Sequence, residues 1–222
     1  MKTASPNNIH IINNFIPESD LQIVCKYLDS YDSFEKSLVS LDGKIETYGY
    51  YKIASFENAD EDVIIIMNSY ISKALEKIEY IFGDKVWTTP SLNARVWERG
   101  SYQEMHSDSD YNIGYPLSTE ENNVDAQSII PNYLQNYNSI LYLNDNYDGG
   151  ELVFPDYEIE IKPKVGDFIC FPSNSKYLHR VNKILSGTRY TMANGWYGKR
   201  ITLASTLNAS DYIKSMVKDF TW

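Results

Sequence analysis

Tyr102-Gln103-Glu104-Met105-His106-Ser107-Asp108 is the stretch around which the chain is organised. Residues i and i+2 of a strand point to the same face, so His106 and Asp108 present an imidazole and a carboxylate side by side. A second strand-like stretch, Tyr177-Leu178-His179-Arg180-Val181, holds another of the three histidines. Two imidazoles and one carboxylate form the facial triad that leaves open positions on a non-haem Fe(II) ion. His-X-Asp alone is a weak signal, because the tripeptide arises by chance in many chains.

The surroundings sharpen it. Arg189 follows His179 by ten residues, across a turn-like segment from Asn182 to Gly187. A hairpin centred near Ile184 would set Arg189 across from His179, on the same face. A fixed guanidinium beside a metal suits a co-substrate with two carboxylates, since its planar fork grips a carboxylate in a way Lys does not reproduce.

Over residues 92–197 the chain resembles the Fe(II)/2-oxoglutarate-dependent oxygenases, in their prolyl 4-hydroxylase-like branch. The resemblance is carried by His106-Ser107-Asp108, Tyr142-Leu143-Asn144, Gly149-Gly150-Glu151-Leu152-Val153-Phe154-Pro155, Pro163-Lys164-Val165-Gly166-Asp167, Phe171-Pro172, His179 and Gly187-Thr188-Arg189-Tyr190, in that order. It implies a mainly β fold, a double-stranded β-helix (jelly-roll or cupin-like) core backed by N-terminal helices. It further implies Fe(II), 2-oxoglutarate and O2, with ascorbate as a candidate auxiliary reductant. The implied activity is that of a procollagen-proline 4-dioxygenase-like hydroxylase acting on a prolyl residue of a peptide or protein. By position, His106, Asp108 and His179 would hold the metal. Arg189 would take the distal carboxylate of 2-oxoglutarate and Tyr142 would hydrogen-bond to it. Ile140 and Leu152 would wall the pocket, and Thr191 and Asn194 would add polar contacts.

The chain also departs from that pattern. Gln103 stands three residues before His106, where prolyl hydroxylases often carry Tyr, and Trp97 replaces a second Tyr. Tyr102, one place earlier, would face the other side of a regular strand. Candidate substrate contacts are therefore Arg95, Trp97, Tyr102 and Trp196, although Arg95 could equally sit in a surface ion pair. Other readings stay open: the same chemistry on another side chain or a small molecule, or a cupin-like metal protein that does not use 2-oxoglutarate.

Composition narrows the class. The 222 residues can bury one sizeable core, so the whole chain, residues 1–222, reads as one oxygenase domain. Residues 1–88 would be helical support with a hairpin, 89–200 the β core and 201–222 a C-terminal helix. Twenty basic against thirty acidic residues give a net charge of −10, which argues against a nucleic-acid partner. Two cysteines, Cys25 and Cys170, make no disulfide framework. With no apolar leader and no membrane-length run, a cytoplasmic protein is expected.

Local patterns fill in the rest. Leu21, Val24, Cys25 and Leu28 recur at helical spacing behind Pro17, and Val63, Ile66, Met67, Tyr70, Ile71, Ala74, Leu75, Ile78 and Ile81 form the longest stripe, ending at Gly83. Asn58 with Glu61 resembles a capping box. Asp42-Gly43 signals a hairpin between residues 38–41 and 45–51, a candidate substrate cover. The long polar segment 109–136 reads as a lid. Ser210 would cap the last helix.

Overall fold

The computed structural model describes residues 7–38, 50–88, 92–109 and 135–198. In chain order the strands are β1 (His10–Ile12), β2 (Glu35–Leu38), β3 (Tyr50–Ser55), β4 (Val86–Trp87), β5 (Asn93–Trp97), β6 (Gln103–His106) and β7 (Tyr137–Tyr142). They continue with β8 (Asp148–Gly149), β9 (Leu152–Phe154), β10 (Ile159–Ile161), β11 (Phe168–Pro172), β12 (His179–Val181), β13 (Ile184–Ser186) and β14 (Arg189–Gly198). Two helices, α1 (Glu18–Ser30) and α2 (Glu61–Phe82), precede the core. The major sheet has the order β1-β11-β7-β14-β5-β3-β2, with β4 added beside β14. The minor sheet runs β10-β9-β12-β6, and β8 and β13 form a separate ribbon. This is the double-stranded β-helix expected from the sequence, mainly β with supporting helices.

Strand alternation gives the major sheet two different faces. Ser139, Leu141 and Leu143 on one side, with Tyr190, Met192 and Trp196, belong to a core shared with the helices. From α2 come Val63, Met67, Tyr70, Ala74 and Ile78, and from α1 Leu21, Val24 and Leu28. Fully burying each large apolar side chain contributes about 1.5–3 kcal/mol. On the other side Trp97, Ile140 and Tyr142 meet Leu152, Phe154 and Val181 of the minor sheet in a second core.

Several local expectations change. α2 begins at Glu61 with Asp60 as its N-cap and no side-chain cap bond, so Asn58 and Glu61 are not a capping box. The helix stops where Gly83 turns left-handed (φ 75°) and returns its N–H to the Glu79 carbonyl. β2 and β3 pair antiparallel from Leu38 opposite Tyr50 to Glu35 opposite Ile53. The turn at Asp42-Gly43 lies outside the described residues, as do residues 110–134 of the segment read as a lid and the C-terminal helix after Ser210. The ends of the long segment are tied down: the Ser109 N–H donates to the Ser173 carbonyl, and the Asn136 N–H to that of Trp196. Among the described residues no helix is long and apolar enough to cross a membrane.

The two faces of α2 give a direct comparison. Met67→Ala should cost about 2–5 kcal/mol of unfolding free energy, since Met67 is fully buried. Ile65→Ala, at a position 57% exposed, should stay within about 0.5 kcal/mol. Urea titration of both variants checks this.

Candidate metal centre and its pocket

β6 and β12 pair so that His106 stands directly opposite His179, with ring centroids 4.2 Å apart. Each imidazole fixes its own tautomer through the backbone. His106 Nδ1 lies 2.7 Å from the Glu104 carbonyl and His179 Nδ1 lies 3.0 Å from that of Tyr177. A carbonyl only accepts, so both Nδ1 atoms carry the proton and both Nε2 atoms keep a free lone pair for a metal. Asp108, just past β6, puts Oδ1 3.9 Å from His106 Nε2 and Oδ2 3.6 Å from His179 Nε2. All three ligating atoms fall within 4.8 Å of one another. The three side chains thus fit an iron site.

The protonation states suit that use. Burial, the neighbouring His179 and the nearby Arg95 outweigh the Asp108 charge and lower the His106 pKa to about 4, so its imidazole is neutral at physiological pH. Burial pushes the Asp108 carboxyl up, but His179, His106 and a hydrogen bond from Asn138 prevail and hold it below the usual carboxylate range. Phe154 and Phe171 pack around the His179 ring, with centroids at 5.4 and 4.9 Å.

Arg189 reaches this cavity by a route other than the expected hairpin. β12 lies in the minor sheet and β14 in the major one, while the residues between them form β13, paired with β8. His179 and Arg189 therefore face each other from opposite sheets. Both line the same cavity with Trp97, Ile140, Tyr142 and Leu152. Arg189 is 1% exposed; its Nη1 donates to the Gly150 carbonyl at 2.6 Å, and its Nε has no partner among the described residues. Its guanidinium carbon lies 4.3 Å from the Trp97 ring centroid and 5.8 Å from that of Tyr142. Burial lowers its pKa, yet a guanidinium stays charged. A buried cation with an unused donor fits a carboxylate ligand. Gly150 (φ 69°) permits this packing: a Cβ there would lie 2.4 Å from Ile184 Cδ1.

The remaining candidates divide by strand face. Ile140, Leu152, Tyr142, Trp97, Arg95 and Thr191 all line the cavity. Burial pushes the Tyr142 phenol up to about 12, so it is a neutral donor. Trp97 donates its indole N–H to Thr191 Oγ1 at 3.0 Å, so this Thr serves the cavity wall. Asn194 is corrected: on β14 it falls on the helix side, where its Oδ1 accepts from Tyr70. Trp196 is corrected likewise. It is fully buried in the helix-facing core, its indole N–H donating to Ser139 Oγ at 2.8 Å. Tyr102 also lies outside the cavity lining, under the Lys183 ammonium at 5.8 Å.

Sequence reasoning missed two residues. Asn138 donates from Nδ2 to Asp108 Oδ2 at 2.6 Å and lines the cavity. The i, i+2, i+4 series Asn138, Ile140, Tyr142 could have revealed it. Tyr147 is buried, its hydroxyl has no partner among the described residues, and the Arg189 charge acts on it; its turn position gave no periodic signal. Asn138→Ala should weaken divalent-metal binding about 10–100-fold, as loss of a ligand-orienting hydrogen bond does. Titration with Mn(II), with unfolding measured in parallel to exclude a folding defect, checks this.

Comparison with known proteins agrees with this geometry. Residues 92–198 match the model of the 2OG-Fe(II) oxygenase superfamily. Mouse prolyl 3-hydroxylase 2 is 36% identical over 64 residues, which is 27% of this chain and 9% of that protein. A PKHD-type hydroxylase of Psychrobacter sp. (strain PRwf-1) is 39% identical over 83 residues, 36% of this chain and 28% of that protein. The chain thus spans under a third of the length of these curated relatives. A Trichoplax adhaerens prolyl hydroxylase, solved in complex with a hypoxia inducible factor peptide fragment, shares the fold with a TM-score of 0.62 at 15% identity, over 88% of this chain and 86% of that one. The similarity to the 2OG-Fe(II) oxygenase superfamily thus spans residues 92–198, just under half of the chain, and takes in the His106–Asp108–His179 group and Arg189.

Proposed function

We propose that the protein is a 2-oxoglutarate-dependent dioxygenase that hydroxylates a prolyl residue in a peptide or protein. The observation that carries the reading is one cavity lined by both the His106–Asp108–His179 group and the buried Arg189 guanidinium. The family implies Fe(II), 2-oxoglutarate and O2. Together these supply the oxidising chemistry: 2-oxoglutarate and O2 become succinate and CO2, and the second oxygen atom enters a C–H bond of the substrate.

The protein contributes binding, orientation and exclusion of water. His106 and His179 would ligate through Nε2 and Asp108 through a carboxylate oxygen, leaving the remaining positions open to ligands. Asn138 donates to Asp108 Oδ2 and would thereby orient the carboxylate for the metal. Arg189 would receive the distal carboxylate of 2-oxoglutarate with Tyr142 as a further donor, which sets the direction in which the co-substrate lies. Ile140, Leu152, Val181 and Ala193 supply apolar wall, limiting water at the reacting atoms.

A prolyl target is supported by the names of the relatives and by the peptide-bound neighbour. Gln103 and Trp97 line the cavity where prolyl hydroxylases commonly carry tyrosines, and this favours a second reading: the same chemistry on another side chain or a small molecule. A cupin-like protein without 2-oxoglutarate would have no use for the buried, partly unpaired Arg189.

Succinate formation from 2-oxoglutarate across a panel of proline-containing peptides tests the proposal. Asp108→Ala should abolish turnover and metal binding while the protein stays folded. Arg189→Lys keeps charge but loses the fork, and should weaken 2-oxoglutarate binding by about 1.5–3 kcal/mol with metal affinity little changed. Equal 2-oxoglutarate affinity in Arg189→Lys and the native protein would remove the co-substrate assignment.

A further inference from the structure

The cavity holds a second guanidinium. Arg95, on β5, lines it together with the metal-binding group. Among the described residues Arg95 has no ion pair or hydrogen bond; its guanidinium lies 5.2 Å from the ring centroid of Tyr51. The neighbouring surface carboxylate is already engaged, since Glu98 pairs with Lys52 at 2.7 Å. A surface ion pair, the plain explanation for an arginine at this position, is therefore absent among the described residues.

Strand register locates the group. Arg95 is opposite Thr191, which is opposite Tyr142, and on its other side it is opposite Ile53 of β3. Arg189 and Trp97 form the next pair on the same face, two residues along. Arg95 is thus set to the side of the line from Asn138 to Arg189, towards the β2–β3 edge of the sheet. Its charge acts on His106 and Asp108 at one end of the cavity and on Arg189 at the other.

Charge counting shows what is missing. The charged side chains of the lining are Arg95, Asp108 and Arg189. Fe(II) and the 2-oxoglutarate dianion cancel each other, and Asp108 offsets one guanidinium. One positive charge is left over. Arg189 is assigned to the co-substrate, so the uncompensated group is Arg95. Keeping an unpaired cation partly out of water is costly, and a ligand carboxylate offsets that cost.

We propose that Arg95 binds a carboxylate of the prime substrate, placed next to the carbon that is hydroxylated. The guanidinium fork suits a planar carboxylate, and its place beside the metal puts that carboxylate within a residue's reach of the reacting carbon. This rests on the reading of the site as a 2-oxoglutarate-dependent oxygenase. Two sources share the chemistry: an acidic side chain flanking the target residue of a peptide, or the α-carboxylate of a free amino acid.

The test is equilibrium binding to full-length protein loaded with Mn(II) and 2-oxoglutarate under anaerobic conditions. The probes are a proline-centred peptide flanked by Glu, its Gln-flanked counterpart, L-proline and L-prolinamide. Native protein should bind the charged member of one pair at least about tenfold more tightly than the neutral one, the discrimination expected of a charged hydrogen bond. Preference for the Glu peptide assigns a flanking side chain; preference for L-proline assigns an α-carboxylate. Arg95→Gln should erase the preference, Arg95→Lys should keep part of it, and 2-oxoglutarate binding by both variants should show that the pocket is intact. No charge preference in native protein, including no binding of any probe, overturns the proposal. So does a preference that survives in Arg95→Gln, or a loss of 2-oxoglutarate affinity in both variants, which would assign Arg95 to the co-substrate. Failure of the native Mn(II) form to bind 2-oxoglutarate would instead overturn the functional reading beneath it.

Discussion

Alternation along a strand is the constraint on which this structure depends. A β-strand sends successive side chains to opposite faces, so β7 and β14 each serve two environments at once. Ser139, Leu141, Met192 and Trp196 are given over to the helices, and Asn138, Ile140, Tyr142, Arg189 and Thr191 to the cavity. A one-residue slip would exchange the two sets, burying Arg189 against α2 and opening Trp196 to the ligand. The apolar stripe of α2 thereby holds the register that aims the functional side chains, although none of its residues lines the cavity.

The cavity itself is an arrangement of charges out of water. A half-buried carboxylate, two imidazoles and two guanidinium groups would be unfavourable without partners. Asn138 and the imidazoles stabilise Asp108. The carbonyls of Glu104 and Tyr177 engage both Nδ1 atoms and leave both Nε2 lone pairs free for a ligand. Arg189 has the Gly150 carbonyl and two aromatic faces but retains an unused Nε. What the described residues leave unsatisfied suits the proposed co-substrate: three ligating atoms that fit a divalent cation at one end and a guanidinium donor that fits a carboxylate at the other.

Much of this was legible in the sequence, because period-2 and helical patterns report which side chains share a face. His106 and Asp108 and the α2 stripe ending at Gly83 follow from such patterns, while the wall residues Ile140 and Leu152 come from the family resemblance. What failed was information about which strands pair. The segment from Asn182 to Gly187 looks like a hairpin turn, yet β12 and β14 belong to different sheets, and Arg189 meets His179 across the cavity. Trp196 and Asn194 lie close to Arg189 in sequence, but their even spacing from Tyr190 puts them behind the sheet. Asn138 carries no local signal, since its value lies in a contact with Asp108 thirty residues away. The capping box failed because Asp60, nearer the helix, takes the N-cap position itself.

The central claim is that the metal group and Arg189 form one site for one bidentate, dicarboxylate co-substrate. Coupling between the two ends tests it most directly, because linkage requires each ligand to strengthen the other's binding. Calorimetric titration of 2-oxoglutarate into Mn(II)-loaded and metal-free native protein measures that coupling. The account predicts binding at least about tenfold tighter with the metal, a coupling of roughly 1.4 kcal/mol or more. Equal affinity with and without metal, or binding to neither form, would contradict it.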